Sequence, residues 1–202
     1  MASPENRQSW QKIARRLRVP LGFVTAAVFF VFARPSLRSL LWSLPLVAAG
    51  LALRAYAAGY VKKNAELTRT GPYAYTRNPL YLGSMLLAFG FAVAAGRVWL
   101  GVLLVALFLL IYWPTILSEE AFLRGVFREF DAYAAVVPRL LPRLTPARLA
   151  STNPGGVEGS SVGGRRFSPE RYRHHREYNA VIGAAALFAA LLLRWWTLYR
   201  VR

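Results

Sequence analysis

Long apolar stretches alternate with short basic ones along the chain, and each apolar stretch can be measured against a bilayer. Residues 98–117 are 20 consecutive positions without a charge. At about 1.5 Å of helical rise per residue they cover a hydrocarbon core of about 30 Å. Residues 79–96 give a second uncharged run of 18, and the Gly96-Arg97 break between the two runs predicts an antiparallel helical hairpin. Residues 39–61 form a stretch of 23 interrupted only by Arg54, and residues 19–33 and 179–193 add uncharged runs of 15 each. The 19–33 run precedes another span almost at once and lacks a small-residue cleavage pattern, so it reads as a retained helix and not as a signal-peptide core. The pattern predicts an all-α integral membrane protein with about five transmembrane helices.

The pattern changes after residue 118. Ser118-Glu119-Glu120 is followed by Phe122, Leu123, Val126, Phe127, Phe130 and Tyr133 at helical spacing, which predicts a cytoplasmic amphipathic helix. Arg124, Arg128, Glu129 and Asp131 fall on its solvated face. Residues 145–168, rich in Gly, Ser and Pro, read as a flexible insertion. The chain therefore reads as one membrane domain: a basic N-terminus (1–18), a helical core (19–142), a basic flexible segment (143–178) and a C-terminal membrane helix (179–202). Trp195, Trp196 and Tyr199 are suited to anchor the end of that helix at an interface.

Charge refines the topology. With 26 Lys or Arg against 9 Asp or Glu, the formal charge is +17, yet 55% of the chain is apolar. That hydrophobicity argues against a disordered basic tail and against a soluble nucleic-acid binder. Of the 26 basic residues, 5 lie in the N-terminal segment, 4 among Lys62, Lys63, Arg69 and Arg77, and 10 in 118–178. Short basic loops stay in the cytoplasm, so the N-terminus and these segments are expected inside, with anionic lipid headgroups as partners. A bacterial inner membrane is the default location. The absence of Cys removes disulfides, thiolate metal sites and a cysteine nucleophile. His174 and His175 are adjacent without a third ligand nearby, so no metal is assigned. No nucleic-acid partner is expected.

Candidate chemistry gathers at the cytoplasmic boundary. Thr68-Arg69-Thr70-Gly71-Pro72-Tyr73-Ala74-Tyr75-Thr76-Arg77-Asn78-Pro79-Leu80-Tyr81-Leu82-Gly83 precedes and enters the third span. Gly71-Pro72 predicts a turn, Pro79 suits a first helical turn, and unpaired N–H groups at that helix start favour an anionic or acceptor-rich ligand. Gly83 is read as allowing close backbone approach. Arg54, a charge within a span, requires a partner, a wet cavity or an escape to the interface. Successive helical residues point about 100° apart, so at most one of Glu119 and Glu120 is expected to face a given cavity squarely.

The motifs Gly71-Pro72-Tyr73, Arg77-Asn78-Pro79-Leu80-Tyr81-Leu82-Gly83, Glu119-Glu120 and Val137-Pro138-Arg139-Leu140-Leu141-Pro142, in this order, resemble those of the isoprenylcysteine carboxyl methyltransferase and phospholipid N-methyltransferase superfamily. The resemblance covers roughly residues 50–142. It implies a small helical membrane bundle that uses S-adenosylmethionine to methylate a lipid or isoprenoid acceptor. It also implies a cofactor site built from Leu67, Thr68, Tyr73, Arg77, Asn78, Pro79, Leu80, Tyr81, Gly83 and Glu119. Glu120, Arg139 and Arg54 are then the candidates for acting on the acceptor. The family usually has His where Asn78 stands, and its prenylcysteine enzymes have Arg where Thr115 stands. Isoprenylcysteine-type O-methylation leads the implied activities. Phospholipid N-methylation, a nicotinamide-dependent sterol-type reductase and a non-catalytic lipid-binding protein are the alternatives.

Overall fold

The computed structural model describes residues 24–61, 67–147, 167–168, 170 and 177–200. The described elements are helical, with no strand among them. They are α1 (24–32), α2 (Leu37–Tyr60), a 3-10 turn (Gly71–Ala74), α3 (Pro79–Ala94), α4 (Val98–Val126), α5 (Phe130–Val136) and α6 (Tyr178–Arg200). Three of them, α2, α4 and α6, are long and apolar enough to cross a membrane. The apolar α3 has 16 residues and the described part of α1 has 9, so the expected count of about five spans is not confirmed among the described residues. The basic N-terminus, His174, His175 and most of the 145–168 insertion lie outside the described residues.

Local sequence sets the helix limits. Ser36 starts α2 with a capping box: its hydroxyl accepts from the Ser39 N–H at 3.1 Å while the Ser39 hydroxyl accepts from the Ser36 N–H at 2.9 Å. Pro79 occupies the first turn of α3, where its missing N–H costs nothing. The α3–α4 turn uses Gly96 at φ +64, a left-handed conformation that favours glycine. The apolar run of α4 ends at residue 117, but its helix continues nine residues further, so Glu119 and Glu120 stand on α4 itself.

The single amphipathic helix expected after residue 118 is instead two pieces. Phe127 is extended at φ −115, ψ 112, and the chain turns there from α4 into α5. The turn folds Phe130, Tyr133 and Val137 back onto Leu123, Phe127 and Leu67 as a small apolar core. A straight helix would carry those side chains away from Leu123 and Leu67. Phe122 and Val126, from the same sequence stripe, stay exposed.

The bundle has two distinct ends. At one, the Arg34 N–H donates to the Ala95 carbonyl at 2.9 Å and the Ser39 hydroxyl to the Ala94 carbonyl at 3.1 Å. Arg194, near the C-terminal end of α6, donates to the carbonyls of Val31 and Ala33 and covers the Phe30 ring. The larger apolar core, including Phe29, Leu40, Val47, Phe91, Leu100 and Leu191, lies on this side. The opposite end carries the 3-10 turn, the start of α3, the end of α4 and α5.

Between the ends, α2 and α3 pack through glycines. A Cβ at Gly83 would lie 2.9 Å from the Gly50 carbonyl oxygen, and one at Gly50 would lie 2.8 Å from that of Gly83. Further along, a Cβ at Gly90 would come within 3.0 Å of the Val47 backbone nitrogen. Small residues let membrane helices approach to backbone contact, which replaces the hydrophobic driving force that lipid does not supply.

Candidate functional site

The site is built by two chain segments that lie side by side. Residues 138–147 run along residues 74–78: the Arg77 N–H donates to the Pro138 carbonyl, Arg143 N–H to Tyr75 and Ala147 N–H to Ala74, each at 2.9 Å. The buried Thr76 hydroxyl sits between them, 3.0 Å from the Leu140 carbonyl and 3.2 Å from that of Arg139. Gly71 opens the turn at φ +61, and the Tyr60 ring lies where a Cβ would project. The two motifs, some 60 residues apart in sequence, thus form one bracket over the start of α3.

This bracket holds a charged cluster against α4. Glu120 is 5% exposed. Its Oε1 accepts from Asn78 Nδ2 at 3.2 Å and its Oε2 from Arg139 Nε at 3.0 Å, while Arg77 Nη1 lies 3.5 Å from Oε2. Asn78 Nδ2 also reaches the Arg139 carbonyl at 3.0 Å. A buried carboxylate needs cations and hydrogen bonds to offset its lost hydration, and all three partners come from the bracket. Glu119 faces another way and accepts from the Tyr81 hydroxyl at 2.7 Å.

A cavity of about 260 Å³ opens beside this cluster. Its polar wall comprises Thr68, Tyr73, Arg77, Asn78, Tyr81, Glu119, Glu120 and Tyr133, and its apolar wall includes Leu67, Pro79 and Leu80. This volume approaches the lower end of the roughly 300–1,000 Å³ range of ligand sites. The Tyr133 hydroxyl donates to the Tyr73 carbonyl at 2.8 Å. Burial pushes both phenols above the ordinary range. Tyr133 adds to the effect at Tyr73, and Arg77 opposes it at Tyr133. Both phenols therefore remain protonated near neutral pH.

Leu67, Thr68, Tyr73, Arg77, Asn78, Pro79, Leu80, Tyr81, Glu119 and Glu120 all border this cavity. Gly83 does not: its open face is filled by the Gly50 carbonyl and the Arg54 side chain, so it serves the contact between α2 and α3. Arg139 stands behind Glu120 with its guanidinium 5.4 Å from the Trp113 ring. Both acids border the cavity although they point in different directions, with Glu120 buried and Glu119 exposed. Sequence reasoning missed Val61, Phe122, Leu123, Phe130 and Tyr133 as lining residues. Most of them belong to the stripe assigned to the amphipathic helix, whose apolar spacing is the same whether it meets solvent, lipid or a ligand.

Arg54 lies outside the cavity lining. Its Nε and Nη2 hold Glu177 Oε2 at 3.1 and 2.8 Å, and its Nη1 donates to the Ser84 hydroxyl. The pair joins α2 to the residue just before α6, with side chains 23% and 13% exposed. Arg54→Leu is therefore expected to destabilise the fold by about 2 kcal/mol, below the roughly 3–5 kcal/mol of a fully buried broken pair. The Arg54→Leu/Glu177→Leu double variant is expected to recover most of that loss. Thermal unfolding in detergent checks both, and equal losses in the single and double variants would contradict the assignment. Thr115 turns its hydroxyl onto its own helix, donating to the Ile111 carbonyl at 2.7 Å.

A second, largely apolar cavity of about 360 Å³ lies between the helices, bordered by Thr25, Phe29, Ser84, Phe91, Phe108 and Tyr112 among others. The Tyr112 ring meets the Tyr81 ring edge-on, with centroids 5.6 Å apart. These aromatic rings stand between the two cavities.

Residues 39–129 match the phospholipid methyltransferase family. The chain thus belongs to the isoprenylcysteine/phospholipid methyltransferase superfamily and carries an integral-membrane methyltransferase domain. It is 33% identical over 142 residues to the cobalt-zinc-cadmium resistance protein CzcN of Cupriavidus metallidurans, covering 67% of this chain and 66% of the relative. It is 37% identical over 101 residues to the nickel-cobalt-cadmium resistance protein NccN of Alcaligenes xylosoxydans xylosoxydans, covering 49% of this chain and 47% of the relative. The chain therefore spans about half to two thirds of the length of these curated relatives. No solved structure matches it.

Proposed function

We propose that the protein transfers a methyl group from S-adenosylmethionine to a lipid or isoprenoid acceptor at the cytoplasmic face of a bacterial inner membrane. The observation that carries this reading is the cavity where the start of α3 meets the end of α4, with one carboxylate inside a charged cluster and a second at its rim. Its residues suit the cofactor's mixed chemistry. Glu119 offers a negative charge to the amino or sulfonium group, Tyr73 offers a hydroxyl, and Leu67, Leu80 and Leu123 offer apolar surface. When bound, the cofactor would supply an electrophilic sulfonium methyl group to the acceptor, with S-adenosylhomocysteine as the leaving group.

The protein's own contribution to such a reaction is alignment and exclusion of water. The bracket of residues 74–78 and 138–147 fixes Arg77 and Asn78 around Glu120, while α5 covers the opposite wall with Phe130 and Tyr133. The second, apolar cavity gives a hydrocarbon tail a place beside the third and fourth helices. O-methylation of an isoprenoid carboxylate and N-methylation of a phospholipid amine both fit this arrangement.

The names of CzcN and NccN tie those two proteins to metal resistance. Among the described residues no group of three His, Cys, Asp or Glu side chains is placed to hold a metal ion. On the methyltransferase reading, a role in resistance would act through modification of the membrane.

Glu119→Gln is expected to weaken S-adenosylmethionine binding about ten-fold, since it removes a charge-assisted contact. Its melting temperature should stay close to wild type, because Glu119 is exposed and outside the Glu120 cluster. Calorimetric titration of the purified full chain with S-adenosylmethionine and S-adenosylhomocysteine tests this, with a reduced nicotinamide dinucleotide as control. Unchanged affinity in Glu119→Gln would remove Glu119 from the site. Binding of the nicotinamide alone would overturn the methyltransferase reading.

A further inference from the structure

The two ends of the bundle answer their positive charge differently. On the site side, Arg54 meets Glu177, Arg69 meets Glu129, Arg124 meets Asp131, and Arg77 and Arg139 share Glu120. At the opposite end, residues 33–38, 95–99 and 194–202 contain no Asp or Glu. Arg34, Arg38 and Arg97 are exposed there, and among the described residues none of their side chains has an ion pair or a hydrogen bond. The nearby carbonyls already accept from other donors: Ala95 from the Arg34 N–H, Ala94 from the Ser39 hydroxyl, and Val31 and Ala33 from Arg194. These contacts set the start of α2 against the α3–α4 turn, where a Cβ at Gly96 would meet the Arg34 carbonyl. The three arginines therefore flank one junction.

Local stability does not explain these cations. Arg38 lies in the first turn of α2 and Arg97 is the N-cap of α4, and a helix start carries partial positive charge, so a cation is disfavoured at both places. Neither helix has an acid in its first turn to offset the charge. An anion outside the chain would satisfy all three guanidinium groups at once. The neighbouring aromatic rings indicate the depth: Trp99 meets Phe32 edge-on with centroids 5.4 Å apart, and Arg200 lies over the Trp196 ring. Trp and Arg gather in this way where hydrocarbon gives way to lipid headgroups. The 16 residues of α3, about 24 Å of helix, separate this junction from the candidate site.

We infer that Arg34, Arg38 and Arg97 form a saturable site for the headgroup of an anionic phospholipid, in the leaflet opposite the candidate site. Guanidinium groups suit a phosphate because their paired N–H groups engage two oxygens at once. The lipid is a bound partner of the fold and not the methyl acceptor, which the separation of the two ends forbids. By bridging the start of α2 and the α3–α4 turn, it fastens together two elements whose remaining links at this end are single hydrogen bonds. The inference stands apart from the methyltransferase reading.

The test titrates the full chain in neutral detergent with dioleoyl phosphatidylglycerol or dioleoyl phosphatidylcholine, which share their tails and differ in charge, and follows the melting temperature. Phosphatidylglycerol is expected to give a saturating rise at about ten-fold or more lower concentration than phosphatidylcholine. The triple variant Arg34→Gln/Arg38→Gln/Arg97→Gln should bring that preference to within about two-fold. Arg124→Gln/Arg128→Gln/Arg143→Gln removes the same charge from the other end and should keep the preference, which separates a site from general attraction to a basic protein. Arg38→Gln alone covers the case in which the triple variant folds poorly. Without lipid it should melt at or slightly above the wild-type temperature, because a cation opposes the helix start, and with lipid it should lose about two- to five-fold of the preference. No preference in the wild type, equal loss in the two triple variants, an unchanged preference in Arg38→Gln, or a rise that never saturates would each overturn the inference. Neither lipid arm requires the cofactor, so a failure of the methyltransferase reading would appear separately.

Discussion

Glu120→Ala is expected to lower stability by about 3 kcal/mol, at the lower end of the roughly 3–5 kcal/mol seen when one partner of a buried ion pair is removed. The lower end applies because Arg139 keeps about a third of its side chain in solvent, whereas Arg77 is almost fully enclosed. Without the carboxylate, two guanidinium groups and the Asn78 amide lose their common acceptor. The cluster also joins α4 to the segment carrying Arg139, so the loss should reach the cavity and abolish ligand binding as well. Glu120→Gln keeps the shape and one acceptor oxygen and should lose less. Thermal unfolding in detergent, where about 3 kcal/mol corresponds to a fall on the order of 10 °C for a chain of this size, reads the effect. A melting temperature for Glu120→Ala equal to that of wild type would show that the buried cluster contributes nothing to the fold.

Gly83→Val should be at least as damaging. Its Cβ would lie 2.9 Å from the Gly50 carbonyl and 2.7 Å from Arg54 Cγ, and the former is backbone that cannot rotate away. Overpacking costs about 1–3 kcal/mol where neighbours can shift, and here the shift must move one helix against another. Separation of α2 from α3 would also disturb Arg54, Ser84 and the first turn of α3 that lines the cavity. Gly125→Ala provides the control: nothing lies within 4 Å of a Cβ there, so the change should be neutral or stabilise α4 by a few tenths of a kcal/mol up to about 1 kcal/mol. Wild-type stability in Gly83→Val would refute the close contact, whereas a similar loss in both variants would indicate general sensitivity of the helices to substitution.

Much of the helix pattern could be read from the chain because apolar runs, prolines and glycines act locally. Pro79 and Gly96 bracket α3 in sequence as they do in space, and the run 98–117 lies within α4. The apolar run marks the span but not the end of its helix, which continues to Val126. Glu119 and Glu120 remain on α4 because backbone hydrogen bonding is indifferent to whether the outward face meets lipid or a charged cavity. The chain turns at Phe127 because Phe130 and Tyr133 gain a buried contact, a tertiary effect that helical spacing does not encode.

The motif around Arg77, Asn78 and Pro79 could be located from sequence, since a turn, a basic residue and a helix start stand together. The pairing of Asn78 and Arg139 on Glu120 could not, because it depends on a return of the chain some 60 residues later. Gly83 shows the opposite error. A glycine beside a ligand motif suggested backbone access for a ligand, but the approaching backbone belongs to α2. Arg54 shows how a charge within a span can be answered inside the protein itself, by an acid distant in sequence.

The glycine contact between α2 and α3 also gives the cavity one rigid wall. Helices that touch backbone to backbone have no side-chain layer to absorb relative sliding, so Asn78, Pro79, Leu80 and Tyr81 ride on a fixed frame. The end of α4 and the short α5 are joined through the extended residue Phe127, and α5 is only seven residues long. The α3 wall is therefore the fixed reference to which the end of α4 and α5 are fastened, through Glu120 on Asn78 and through the Tyr133 hydroxyl on the Tyr73 carbonyl.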